Sequence, residues 1–467
     1  MKNNNNTKSY KKLLISLLVS GTTILSTTAI AKVSEQEANR LKGELTPLGA
    51  QKEGNADGTI PAYTGKYLGA PPGVNYKPGM HYPDPYANEK PLFVITKGNA
   101  SRYADKLTDG QKALLEKYPE HYKIPVYQSH RDWRYSAFTE ENTYKNALNA
   151  EVQDDQNGVK NAFGGVPFPI PKNGVEAILN HGLNQIPARI AAVYDEAAVY
   201  PGGEIAIATT HDVRYLPFWD HNSSAEEFHK NNDIAALVMI DWIFPDRKKG
   251  EFVLINEYLN YTAMPRMAWA YMPGTRRVRR APTIGYDTPD GIGGLRCVDD
   301  HFLFNGAVDR FDWTLQGKKE LYIPYNNYKI DSADIKYKDL LKDYTLNSDY
   351  MRYELHRVWV VEGSIKPNSR HVYNKRVLYI DEDSWTAAWA DNYDGKNILW
   401  RSNYKTLLNA YDMPGVTGRV MVYHDLAVKA YYANNLINEQ QFAPSKPERE
   451  YTKQYFTPTN MRKLGKR

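Results

Sequence analysis

Asp299-Asp300-His301 is the run whose residue types could hold a cation: two carboxylates and an imidazole at consecutive positions. Regular β backbone turns adjacent side chains to opposite faces, so both Asp cannot ligate one ion there unless a bulge or loop intervenes. Salt-bridging or turn-forming roles are expected instead, and no metal site is assigned. His356 and His371 fall on separate strand candidates, with no triad partner identifiable for either. Cys297 is the only cysteine, so no intrachain disulfide can form and core packing must supply the stability. In an oxidising compartment such a thiol is expected to be buried. The chain carries no Gly-x-Ser-x-Gly elbow, no His-Glu-x-x-His, no Walker A loop and no Cys-x-x-Cys. Gly291-Ile292-Gly293-Gly294 lacks the spacing of a dinucleotide fingerprint and reads as a loop. The expectation is a protein that is not an enzyme and takes no cofactor.

Two groups of residues could serve either packing or binding. In Tyr271–Pro282, a strand over Arg276–Arg280 would put Arg276, Val278 and Arg280 on one face and Arg277 and Arg279 on the other. Either each Arg pairs with a carboxylate such as Asp299, Asp300 or Asp312, or one pair lines a cavity mouth and meets an anionic head group. Trp242, Trp269, Trp313, Trp359, Trp385, Trp389 and Trp400 recur through the same half of the chain. The 36 Tyr and 9 Trp outnumber the 13 Phe, which fits either a large β structure or a wide cleft with half-wet walls.

These residues need a sheet to position them. From about residue 204 the pattern reads as strands over 204–209, 237–244, 251–259, 267–272, 308–315 and 320–325. It continues over 354–364, 372–380, 386–390, 398–403 and 418–423. Gln316-Gly317-Lys318 and Asp394-Gly395 fit hairpins, and Asp381-Glu382-Asp383-Ser384 fits a longer loop. Ahead of the strands, Ser34-x-x-Glu37 and Thr108-x-x-Gln111 are capping boxes that open helices, and further helices are expected over 140–148 and 175–183. Residues 54–91 are too rich in Gly, Pro, Asn and Tyr for long regular elements and should lie extended across the main domain. A last helix is expected over 426–439.

Lys2, Lys8, Lys11 and Lys12, the apolar stretch Leu13–Ile24 and Ala29-Ile30-Ala31 make a secretory signal, with the mature chain expected to start at Lys32. No later segment is apolar for ~18 residues, so a soluble periplasmic protein is expected. The remaining chain of about 436 residues is close to neutral, which argues against general nucleic-acid binding. Ser445–Arg467 stands apart, with seven Lys/Arg against two Glu interleaved with Tyr451, Tyr455 and Phe456. It is expected to strap onto the body rather than dock a membrane or an acidic partner.

Leu45–Ala50, Gly54–Pro61 and Asp84–Phe93 resemble the opening of a proteobacterial envelope family known as domain of unknown function 1329. Gly165–Pro171, Tyr271–Pro282, Phe304-Asn305-Gly306, Glu354–Glu362, Tyr379–Trp385 and Phe456-Thr457-Pro458 continue the resemblance over nearly the whole chain. It implies a fold similar to the periplasmic outer-membrane lipoprotein carriers: mainly β with α, a large curved antiparallel sheet forming a half-open β-barrel, with short helices and a long extended N-terminal segment. The organisation expected is a signal peptide at 1–31, an extended and helical region at 32–200, a curved β domain at 201–442 and a basic tail at 443–467. The implied partners are a resistance-nodulation-division exporter of the inner membrane and an outer-membrane β-barrel protein. The function expected is a periplasmic carrier or adaptor for hydrophobic, lipid-like molecules, with Trp269, Tyr271, Trp313, Trp359 and Trp389 as walls and Arg277 and Arg279 at the rim. The alternatives are a structural adaptor without its own ligand and an envelope lipid hydrolase.

Overall fold

Two-residue periodicity organises fifteen strands into one sheet. The computed structural model describes residues 32–184, 187–281, 285–447 and 450–466, so the expected leader, residues 1–31, lies outside the described residues. Lys32–Arg467 forms one compact unit. In chain order the strands are β1 (Phe93–Ile95), β2 (Ile124–Val126), β3 (Arg189–Val199), β4 (Ile205–Tyr215) and β5 (Ile234–Phe244). Next come β6 (Phe252–Tyr258), β7 (Met267–Met272), β8 (Arg277–Arg280), β9 (Phe311–Pro324) and β10 (Tyr353–Ile365). The last are β11 (Lys375–Asp381), β12 (Ala387–Tyr393), β13 (Leu399–Ala410), β14 (Gly415–Asp425) and β15 (Ala430–Leu436). Their order is β1-β2-β10-β11-β12-β13-β14-β15-β3-β4-β5-β6-β7-β8, with β9 beside β10. The pairings are antiparallel apart from Tyr353 against Val126. Among the described residues no pairing joins β8 to β1, so the sheet is an open path and does not close into a barrel.

The central strands are buried on both faces. Val360, Tyr379, Trp389, Tyr404, Val422 and Ala433 form one cross-strand row. That row packs against Ile60, Tyr82, Leu114 and Trp133 of the N-terminal arm and against Tyr328 and Leu340 of the β9–β10 connection. One residue along each strand, Val361, Leu378, Ala390, Tyr423 and Tyr432 belong to the opposite face. That face is covered by Ala177, Ile178 and Leu179 of the helix Gly174–Gly182 and by Leu303 and Phe304. The Pro- and Gly-rich arm is therefore the lid of one face, and an extended chain suits the task because it follows the sheet side chain by side chain.

Both capping boxes form: Ser34 with Glu37, and Thr108 with Gln111. The helices Ala137–Asn149 and Gly174–Gly182 cover the expected positions. No described helix is long and apolar enough to cross a membrane. The tail packs as a strap: Phe456 and Met461, the latter in the short helix Pro458–Leu464, are buried against Met239, Leu254 and Tyr271.

Several elements depart from expectation. Residues 426–439 are not a helix; Ala430–Leu436 is β15, because Tyr431, Tyr432 and Ala433 find ladder partners on both sides, in β14 and β3. Gln316-Gly317-Lys318 is not a hairpin but a bulge, with Gly317 at φ +98° and the register slipping between Leu315 and Gly317. The partner strand β10 runs the full length of β9, so the chain has no need to reverse there. The sheet also begins before residue 201. Strand β3, with Ala191, Ala192, Ala197 and Ala198, carries little intrinsic strand preference and is held by β4 and β15.

Candidate functional site

The seven residues expected to line a ligand site do not come together. Trp389 is fully buried in the central row, stacked on Tyr404, with its Nε1 donating to Asp391 Oδ1 at 3.0 Å and Ser402 Oγ at 2.9 Å. Trp313 is buried on the opposite face between Phe304 and Phe311, its Nε1 donating to the Val308 carbonyl at 2.9 Å. Trp359 is half-buried on that same face, stacked on Trp385 and capped by Lys318, whose Nζ lies 4.5 Å from the ring centre. Trp269 and Tyr271 sit beneath the C-terminal strap, and Tyr271 donates to the Gly465 carbonyl at 2.9 Å. Arg277 and Arg279 are exposed on the edge strand β8. The split follows from parity: strand positions of odd and even spacing, read together in a sequence, end on opposite faces.

Across strands β5 to β7 the two faces of the sheet differ sharply. Toward the strap, Met239 and Leu254 are fully buried. On the other face Val238, Ile255 and Ala268 form one cross-strand row, and Ile240, Val253 and Ala270 the next. All six are only half-buried and belong to none of the described core clusters. On the inner side the rows run into Arg214 and Asp212, which pair with each other. On the outer side Ala270 stands opposite Arg279. The result is an apolar strip with Arg214 beyond its inner side and Arg279 beyond its outer side. Phe302 overhangs this face from a turn at φ +57°, with the Arg214 guanidinium 5.1 Å and the Lys405 ammonium 5.7 Å from its ring.

The Arg run does not pair with Asp299 or Asp300. Those carboxylates instead hold the fully buried Arg376: Nη1 reaches Asp299 Oδ2 at 2.7 Å and Nη2 reaches Asp300 Oδ1 at 2.6 Å. His371 is the second partner of Asp299, at 3.1 Å. Asp300 also accepts from the Cys297 backbone N–H and from Tyr373 Oη. The salt-bridging role expected of this run is therefore met by a residue far along the chain. Cys297 is buried beside it, and burial pushes its thiol well above the usual range.

Sequence reasoning missed a second buried polar node. His356, Asp381 and Asp383 offer ligand atoms within 4.8 Å of one another. They meet because Val358 of β10 pairs with Asp381 of β11. The donor types would suit a transition metal. Asp383, however, already receives the Arg131 fork, Nε to Oδ2 at 2.7 Å and Nη2 to Oδ1 at 2.8 Å. Glu382 receives Lys318 at 2.6 Å, and Glu354 receives Arg352 at 2.6 Å. A divalent ion would have to share Asp383 with a guanidinium. The remaining carboxylate, Asp381, answers by protonation: burial and the neighbouring Asp383 push it up to about 7. The node reads as a buried charge network. The Tyr379–Trp385 motif was the available signal for it. Among the described residues no His ring nitrogen hydrogen-bonds a Ser, Thr or Cys side chain.

The family model for a protein of unknown function, DUF1329, matches residues 94–462. The chain belongs to this family. As a DUF1329 protein it is 40% identical over 448 residues to the uncharacterized protein PA3922 of Pseudomonas aeruginosa, covering 94% of this chain and 97% of that one. A crystal structure of a DUF1329 protein from Desulfovibrio piger matches with a TM-score of 0.39 and 13% identity, over 59% of this chain and 92% of that one. A putative outer membrane lipoprotein-sorting protein domain from Vibrio parahaemolyticus matches with a TM-score of 0.41 and 12% identity, over 62% of this chain and 98% of that one. The LolA superfamily protein NE2245 from Nitrosomonas europaea matches with a TM-score of 0.37 and 10% identity, over 62% and 98%.

Proposed function

We propose that this DUF1329 protein is a periplasmic carrier or adaptor that binds hydrophobic, lipid-like molecules between an inner-membrane exporter and the outer membrane. The observation that supports this reading is the strip on β5–β7, an apolar sheet face left half-open while the face behind it is sealed by the strap. An acyl chain laid along Ile240, Val253 and Ala270 would leave water, a gain of ~0.8 kcal/mol for each CH₂ fully buried. About ten carbons would give useful affinity before ordering costs are subtracted. An anionic head group would meet Arg279 at the outer end. On this reading the partners are a resistance-nodulation-division exporter and an outer-membrane β-barrel protein.

The packed central sheet favours a second reading, an adaptor without a ligand of its own, because Trp389 and Trp313 fill positions that a deep acyl pocket would need. One experiment separates the two. A fluorescent long-chain fatty acid is titrated into the chain from Lys32 onward, and into Ile240→Asp and Val253→Asp variants. Micromolar binding lost in both variants supports the carrier. No binding to the wild type leaves the adaptor.

A further inference from the structure

A second surface lies at one end of the same strands. The β5–β6 and β7–β8 connections emerge at that end, since β5 and β7 both run toward it and β6 and β8 run away. The two tips are neighbours: a Cβ placed on Gly250 would stand 3.4 Å from Pro273 Cγ. Their apolar residues face water, with Ile243 at 39%, Phe244 at 46% and Met272 at 45% exposure. Arg247, Lys248 and Lys249 flank them on the first tip. Arg276, Arg277, Arg279 and Arg280 flank them on the second, all exposed. Among the described residues none of these seven cations makes an ion pair; Asp246 and Glu251 lie among them along the chain, and Asp290 and Glu196 feel the charge of Lys248 from neighbouring elements.

We propose that these two tips form a docking surface for an anionic phospholipid bilayer. Exposed apolar side chains inside a collar of Arg and Lys match the two layers of such a surface: acyl carbon for Phe244 and Met272, phosphate for the collar. The chain from Lys32 is close to neutral overall, and its other basic stretch, Ser445–Arg467, exposes Arg462 and Lys463 without an exposed large apolar side chain beside them, so only the tips join both layers. Lys248 stands 5.3 Å from the Trp242 ring, which holds one cation of the collar beside the apolar tip. Arg279 belongs both to this collar and to the outer boundary of the half-open strip, whereas Phe244, Met272, Lys249 and Arg276 lie outside the strip and need no ligand bound there.

The test is co-sedimentation of the chain from Lys32 with vesicles of phosphatidylethanolamine containing phosphatidylglycerol, compared with phosphatidylcholine alone. Binding is expected on the anionic vesicles only, falling on the order of ten-fold when salt shortens the Debye length from about 30 to about 8 Å. A Phe244→Trp reporter should shift to the blue on those vesicles. Lys249→Glu with Arg276→Glu should abolish binding at unchanged melting temperature. Equal binding to both vesicle types overturns the proposal. So does undiminished binding by the charge-reversed variant. If that variant still sediments with vesicles but loses a cross-linked acidic protein in cells, the surface belongs to a protein partner and the bilayer assignment fails.

Discussion

Arg131 lays its guanidinium across both carboxylate oxygens of Asp383, 252 positions away, and donates also to the carbonyls of Gln51 at 2.7 Å and Pro61 at 3.1 Å. One side chain thus ties two passes of the extended arm to the end of β11. Arg suits the position because its planar fork serves a carboxylate and two carbonyls at once, which an ammonium cannot do.

Arg131→Met should therefore cost about 3–5 kcal/mol, most of it from leaving Asp383 charged and buried without a partner. Arg131→Met combined with Asp383→Leu should lose less than Arg131→Met alone. Urea unfolding of the two variants checks the order; equal losses would mean the pair is not the tie.

Asp381 has a folded-state pKa raised to about 7, from an unfolded value of about 3.9. Its contribution is fully present below the unfolded value and is lost as pH rises toward 7, because the folded state must then hold a buried charge beside Asp383. Asp381→Asn should match the wild type near pH 4 and exceed it at pH 8, by on the order of 1–3 kcal/mol. Asp391, pushed up to about 6 by burial, acts in the same direction and stays constant in the comparison. Thermal melts of both proteins across this range give the difference.

Lys405 has the opposite sign. It is buried on β13 with no ion pair among the described residues, and burial lowers its ammonium to about 7, from an unfolded value of about 10.4. The unfolded chain binds the extra proton between these values, so stability rises with pH across that window. Lys405→Met should stabilise most below pH 7, by on the order of 2 kcal/mol, and the gain should fade toward pH 10. A gain independent of pH would assign the effect to packing.

The strap predicts a loss of packing rather than of charge. Met461→Ala should cost about 2–5 kcal/mol, since Met461 is fully buried against the β5–β7 face. Arg462→Ala and Lys463→Ala, both exposed, should each stay within about 0.5 kcal/mol of wild type. Differential melts check the contrast.

Much of the fold is legible locally. The capping boxes at Ser34 and Thr108 name their own helices because cap and partner lie three residues apart. Alternation along Phe311, Trp313 and Leu315 marks β9, although the Gly317 bulge within it looks like a turn until β10 is seen alongside. The candidate site was far less legible. Arg279 does border the half-open strip, but Val238, Ile240, Val253 and Ile255 carry no chemical signature that separates them from core strand residues. Trp269 and Tyr271 looked like walls because aromatics suit a cleft as well as they suit a core; the strap makes them core.

By itself, the sequence determined the strands from β4 to β7 and from β9 to β14, the alternation of faces along them and the segments that cannot be regular, but not β3 or β15. These are matters of neighbours a few positions apart, and backbone geometry carries them. Only the tertiary structure decided which faces are covered. Arg376 neutralises Asp299 and Asp300 from 76–77 positions away, and Met461 seals Leu254 from the far end of the chain. Burial is set by whatever segment arrives from a distance. A strand pattern alone therefore cannot distinguish the sealed face of β5–β7 from the open one.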